Sequence, residues 1–152
     1  MNHLRRYQLL AIAMACATSI SGPRLIAMAA DETLDVTVSG AWSRATPPGA
    51  EVGVAYMNVT VHGGPDRLLG AESALAERAE IHEMRTDQGA MQMRTVGPIE
   101  LTPAQELVLE PGGLHVMLIG LRESLVAGEH HTVTLVFEHA GRVPVDVEVR
   151  AP

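Results

Sequence analysis

His82, Met93, His115 and Met117 place two imidazoles and two thioethers on three short segments of one chain. Neither donor type is charged, and together they form a soft set that suits Cu(I) better than any other common biological metal. A thioether has no proton to lose and cannot be oxidised to a disulfide, so such a site could hold reduced copper where cysteines would be cross-linked. Zinc is a poorer match, because thioethers ligate it weakly and no third hard donor is apparent.

Two elements have to bring these donors together. In the segment from Ile81 to Val96, Thr86-Asp87-Gln88-Gly89 reads as a hairpin loop. If Met84 pairs with Met91, then His82 pairs with Met93, and directly opposed residues have Cβ atoms about 5 Å apart. Period-two alternation then projects His82, Met84, Met91 and Met93 from one face. The second element runs from Leu114 to Ile119, where Leu114, Val116 and Leu118 should pack inward and His115 and Met117 outward. Gly112-Gly113 before it permits a tight turn. A lone methionine on a strand is usually core filler, and a lone histidine is usually solvated. His-x-Met occurring twice, with four of the five methionines beyond residue 30 near those two histidines, favours the site.

The rest of the chain repeats one pattern of short alternating segments separated by Gly, Pro and Asp. Leu34 to Val38 alternates, Trp42 starts a segment that Pro47-Pro48-Gly49 ends, and Val133, Leu135 and Phe137 face Val143, Val145, Val147 and Val149 across Ala140-Gly141. Such spacing predicts an all-β domain, an antiparallel sandwich or Greek-key barrel. The phase of the apolar residues changes between Tyr56 and Met57, which predicts a β-bulge there. Ser73 to Ala79 is the one expected helical turn, with Ser73 as its N-cap. Pro144 lacks an N–H and is expected on an edge strand. Trp42 is expected as a core anchor.

Residues 1–29 have the parts of a secretory signal: Arg5-Arg6, an apolar stretch from Leu9 to Ile20, and Ala27-Met28-Ala29 as an A-x-A cleavage site. The apolar run is shorter than the roughly 20 residues a membrane span needs. Gln8 suits a twin-arginine signal poorly, and Ala13-Met14-Ala15 before Cys16 makes a poor lipidation site. Cleavage after Ala29 leaves residues 30–152 as one domain and removes the only cysteine, Cys16. Disulfides, thiol chemistry and a blue-copper thiolate are then unavailable. Eight arginines remain against 18 acidic residues, a formal charge of −10, and the chain has no lysine. That balance argues against nucleic acid and anionic membranes as partners.

The order His82, ten residues, Met93, twenty-one residues, His115-Val116-Met117 resembles the H-x10-M-x21-H-x-M signature of the PCuAC family of periplasmic copper chaperones. Ala41-Trp42-Ser43-Arg44-Ala45-Thr46-Pro47-Pro48-Gly49, Pro111-Gly112-Gly113-Leu114-His115 and Leu135-Val136-Phe137 resemble it too, so the likeness runs from about Leu34 to Val149. The resemblance implies a cupredoxin-like β-barrel binding one Cu(I) per chain through His82, Met93, His115 and Met117, with Met84 at most an auxiliary ligand; a monomer is expected. It also implies delivery of copper to the dinuclear centre of cytochrome c oxidase subunit II, alongside a Sco-type thiol chaperone. Val61-His62-Gly63-Gly64 departs from the family's Asn-Gly-like turn, and no His/Met-rich tail follows Pro152, so a second, tail-based copper site is not expected.

His130 and His131 are adjacent, point to opposite faces of a strand, and are expected as a solvated loop pair. No activated Ser or Cys arrangement, phosphate loop or carboxylate motif points to catalysis, so a non-enzymatic role is expected. A copper-buffering protein that holds Cu(I) without delivering it is the alternative to a carrier, since both need the same site.

Overall fold

The computed structural model describes residues 34–152; the first 33 residues, which include the expected export signal, lie outside the described residues. Ten strands follow one another: β1 (Asp35–Arg44), β2 (Val52–His62), β3 (Asp66–Glu72), β4 (Ala76–Asp87), β5 (Ala90–Thr95), β6 (Ile99–Leu101), β7 (Leu107–Leu109), β8 (Leu114–Leu121), β9 (His130–Phe137) and β10 (Arg142–Arg150). Seven of them close a barrel in the order β4-β8-β2-β1-β10-β9-β3, sealed where Ala71 of β3 meets Ala79 of β4. The short strands β5, β6 and β7 are appended to β4, β3 and β2. The expected all-β barrel is therefore the fold. The parallel pair β1–β10 is the exception to its antiparallel pattern.

Alternation decides what fills the barrel. Along β2, Gly53, Ala55, Met57, Val59 and Val61 point inward and are buried. Val116 and Leu118 of β8, Val133 and Leu135 of β9, and Val147 of β10 meet them, each with no exposed surface. Each such side chain contributes about 1.5–3 kcal/mol when removed from water.

Four local expectations change. The Ser73–Ala79 helical turn is instead a tight turn followed by the start of β4. Its Ser73 Oγ does cap the chain, accepting from the Leu75 N–H at 3.3 Å, but Ala76 onward pairs with β8 and continues extended. The bulge lies on β1, not β2: the β1–β2 register shifts between Ser39 and Trp42, where Gly40 takes φ +60°. Glycine adopts that conformation without a Cβ penalty. The phase change at Tyr56 arises because Tyr56 is buried on the outer face. Trp42 shares that face: it is half-buried and stacks on Tyr56 with ring centroids 4.7 Å apart, rather than anchoring the core. Pro144 sits inside the strand order, but β10 pairs with β1 only over Glu148–Arg150, so one side of β10 is locally an edge at the proline.

Candidate metal centre

The centre of the candidate site is a cross-strand pair. In the β4–β8 register His82 lies directly opposite His115, and their ring centroids are 6.1 Å apart. The same register sets Met117 opposite Glu80, diagonal to His82. Two residues along the other way, the Met84 N–H donates to the Gly113 carbonyl at 3.1 Å. On the far side of β4, strand β5 places Thr95 opposite His82 and Met93 opposite Met84.

This hairpin register differs from the expected one by two residues. Gln88 and Gly89 close it alone, with φ values of +48° and +84°. A two-residue turn with positive φ at both positions matches strand twist and draws Asp87 against Ala90. A shift of two preserves the face and changes the partners. His82, Met84, Met91, Met93, His115 and Met117 therefore all share one outer face, but Met93 is diagonal to His82 instead of opposite it. Diagonal neighbours stand about 7–8 Å apart, within reach of long side chains. Met84 and Met117 are half-buried, Met93 is 45% exposed, and Met91, opposite Thr86, is 69% exposed.

His115 faces outward and is still only 3% exposed. Tyr56 covers it from β2 with ring centroids 6.4 Å apart, Trp42 leans on Tyr56, and the Arg150 guanidinium lies 5.6 Å over the Trp42 ring. A wall of rings thus keeps water from one side of the imidazole pair while the thioether side stays open.

The hydrogen bonds leave each imidazole with one nitrogen to spare. His115 Nδ1–H donates to the Gly113 carbonyl at 3.0 Å, so its Nε2 carries the lone pair; that atom is buried without a partner. His82 Nε2–H donates to Glu80 Oε2 at 3.0 Å, with Thr95 Oγ1 3.3 Å away, and its Nδ1 is buried without a partner. A buried unpaired acceptor costs about 1–3 kcal/mol. Two such atoms on adjacent rings are what a bound cation would satisfy. The Glu80 carboxyl is held below the usual range, first by the His82 hydrogen bond and also by the Arg78 charge, against the opposing effect of burial. Among the described residues no three His, Cys, Asp or Glu side chains cluster as a metal site.

Glu80, Thr95 and Tyr56 were not singled out from the sequence. Glu80 carries a readable signal, since Glu-x-His on a strand puts both residues on one face. Thr95 and Tyr56 depend on register and on which neighbours cover the face. His130 and His131 do point to opposite faces, but they are not a solvated pair. His130 is exposed, with Nδ1 2.8 Å from Asp146, whereas His131 is buried with Nε2 2.7 Å from Ser43 Oγ.

Comparison with known proteins agrees with this architecture. The family described as "Putative lipoprotein LpqE-like" matches residues 36–149. A relative named "Putative lipoprotein Lxx21020", from Leifsonia xyli subsp. xyli, is 38% identical over 117 residues, covering 76% of this chain and 69% of the relative. Among solved structures, the copper-bound PCuAC domain from PmoF2 superposes with a TM-score of 0.63 at 31% identity, covering 77% of this chain and 93% of that domain. The CuI-DR1885 solution structure from Deinococcus radiodurans gives 0.58 at 34% identity, with 80% and 83% covered. By sequence match and by fold, the chain belongs to the LpqE-like family of PCuAC-type domains.

Proposed function

We propose that this protein is an exported Cu(I) carrier, not an enzyme, that takes one ion at the His82–His115 pair and passes it to the dinuclear centre of cytochrome c oxidase subunit II, directly or through a Sco-type thiol chaperone. The observation that carries this reading is the two facing imidazoles, each with a buried, unpartnered nitrogen, flanked by methionines on the same face. Copper in the PmoF2 domain and Cu(I) in DR1885 support it by likeness.

His82 and His115 hold the ion on the closed side, and Met117 and Met93 supply sulfur from the two flanks. Met84 faces Met93 and is the nearer thioether on that flank by register. Thioethers are individually weak donors, so an incoming ligand can replace them one at a time. The exposed edge strand β5, which bears Met93, is the side from which a partner would approach. A monomer suffices, because one chain supplies every donor. The basic and apolar leader and the lipoprotein names of the relatives support a cell-envelope location, which we place in the periplasm. Mass spectrometry of the exported chain separates cleavage after Ala29 from lipid attachment at Cys16.

Native mass spectrometry after anaerobic loading should give one copper per chain, and a protein that stays metal-free would end this reading. Transfer of that copper to an apo oxidase subunit II fragment separates delivery from buffering. Retention of the ion by the carrier in the presence of the acceptor would favour buffering.

A further inference from the structure

We propose that Glu80 is a positioning residue that makes Nδ1 the copper-binding atom of His82, while His115 binds through Nε2. The inference rests on the His82–His115 pair being the copper site, and adds which nitrogen of each ring faces the metal and what puts it there.

Arg78, Glu80 and His82 alternate along one face of β4, so all three side chains stand in a row beside the site. Glu80 Oε1 lies 3.5 Å from the Arg78 guanidinium, and its Oε2 lies 3.0 Å from His82 Nε2. The Thr95 hydroxyl donates to the same Oε2 at 3.4 Å and stands 3.3 Å from His82 Nε2. A carboxylate only accepts hydrogen bonds, so the ring nitrogen facing it must carry the proton. The opposite tautomer would set a lone pair against the carboxylate and leave a buried Nδ1–H unpaired. With Nε2 protonated, the lone pair of His82 sits on Nδ1, the buried atom that has no protein partner. At His115 the carbonyl of Gly113 performs the same selection in reverse, accepting from Nδ1–H and freeing Nε2.

The two selectors differ in kind. The Gly113 carbonyl is backbone, held where β8 begins, and is neutral. Glu80 is a charged, partly exposed side chain, and its negative charge raises the donor strength of the ring it touches. Outer partners of this kind typically contribute about 10–100-fold to metal affinity. Glu80 also lies opposite Met117 in the β4–β8 register, so the same residue borders both a nitrogen and a sulfur donor.

The test is imidazole nitrogen NMR on 15N-histidine protein, free and anaerobically loaded with Cu(I), together with chelator competition on Glu80→Ala and Glu80→Gln. In the free protein His82 should show a protonated Nε2 and a bare Nδ1. Copper should then shift His82 Nδ1 and His115 Nε2. Glu80→Ala should weaken Cu(I) binding by about 10–100-fold. Glu80→Gln, whose amide oxygen still accepts from Nε2–H, should fall between Glu80→Ala and the unaltered chain. Copper on His82 Nε2, or a Glu80→Ala affinity within about twofold of the unaltered chain, overturns the proposal. If Glu80→Ala does not fold, the nitrogen assignment in the unaltered protein and the Gln variant still decide it. His82→Ala and His115→Ala, measured in parallel, keep the site itself separate. If neither weakens copper binding, the site reading fails and the Glu80 role with it. If both do while Glu80→Ala does not, only the Glu80 role is lost.

Discussion

His115 and His131 are almost equally buried, at 3% and 8% exposure, and each has one hydrogen-bonded nitrogen and one without a partner. Only one of them belongs to the candidate site. His131 points into the barrel, where Ser43 meets its Nε2 and Val147 lies opposite it across β9–β10. His115 points outward, where a second imidazole lies directly opposite and methionines stand on both flanks. Burial and an unpartnered ring nitrogen are therefore common to a structural histidine and to one in the candidate site. The difference lies in the neighbours: the outer face of β4, β5 and β8 gathers a second imidazole and four methionines around His115, as an ion that needs several donors would require.

The largest test of this contrast is to remove each ring. His115→Ala should lower Cu(I) affinity by about 100-fold or more, since a direct ligand should matter at least as much as the outer partners that orient it. His131→Ala should leave copper affinity unchanged and cost about 1–3 kcal/mol of stability, by orphaning the buried Ser43 hydroxyl and opening a hole. Chelator competition and urea unfolding on both variants would read this. Copper loss in His131→Ala would erase the distinction.

The thioethers come next. Met117→Ala should weaken Cu(I) binding about tenfold, or ~1.4 kcal/mol. Met93→Ala should cost less, because Met93 is diagonal to His82, half-exposed, and backed by Met84 across the hairpin. Met91→Ala should do nothing. If Met93→Ala proved the most damaging of the three, the hairpin would have to rearrange on binding.

A pH series sharpens the contrast from the other side. Burial pushes the His131 imidazole below its ordinary value, despite the attraction of Asp146, with His130 nearby adding to the depression. The unfolded chain then takes up a proton at this residue before the folded one does. Stability from this source is complete above the unfolded value of about 6.5 and falls as pH drops from there through the folded value. Urea midpoints at pH 7.5 and 5.5 should show that loss, and His131→Leu should flatten it. An unchanged slope in His131→Leu would assign the acid sensitivity elsewhere.

The smallest effect concerns the turn that sets the flank. Gly89→Ala places a Cβ at φ +84°, which costs about 1–2 kcal/mol. The strain should loosen the β4–β5 hairpin and reduce copper affinity slightly through Met93 and Met84, while the closed barrel unfolds at nearly the same midpoint. Amide exchange along β5 would locate the change. Uniform exchange increases over all ten strands would refute the local role.

Alternation made most of this protein legible. Side chains of a strand alternate with a period of two, so Val116 and Leu118 could be assigned inward and His115 and Met117 outward before any coordinates. That parity survives a two-residue error in register, which is why the donor face was right although the His82–Met93 pairing was not. Register depends on how many residues the turn uses, and Gln88-Gly89 closing the hairpin alone was one of several choices open to Thr86–Gly89. The stretch from Ser73 to Ala79 read as helical because its local preferences allow it; pairing with β8 outweighs them.

Residue order alone determined the donor types, their spacing, the faces they occupy and the lack of a thiol beyond Cys16. Tertiary structure decided the rest: the direct opposition of His82 and His115, the ring wall of Trp42 and Tyr56, and the separation of His131 from its neighbour. The reason is physical. Period and chemistry belong to each strand by itself, whereas hydrogen-bond partners and burial belong to pairs of strands that meet only after a long chain has closed on itself.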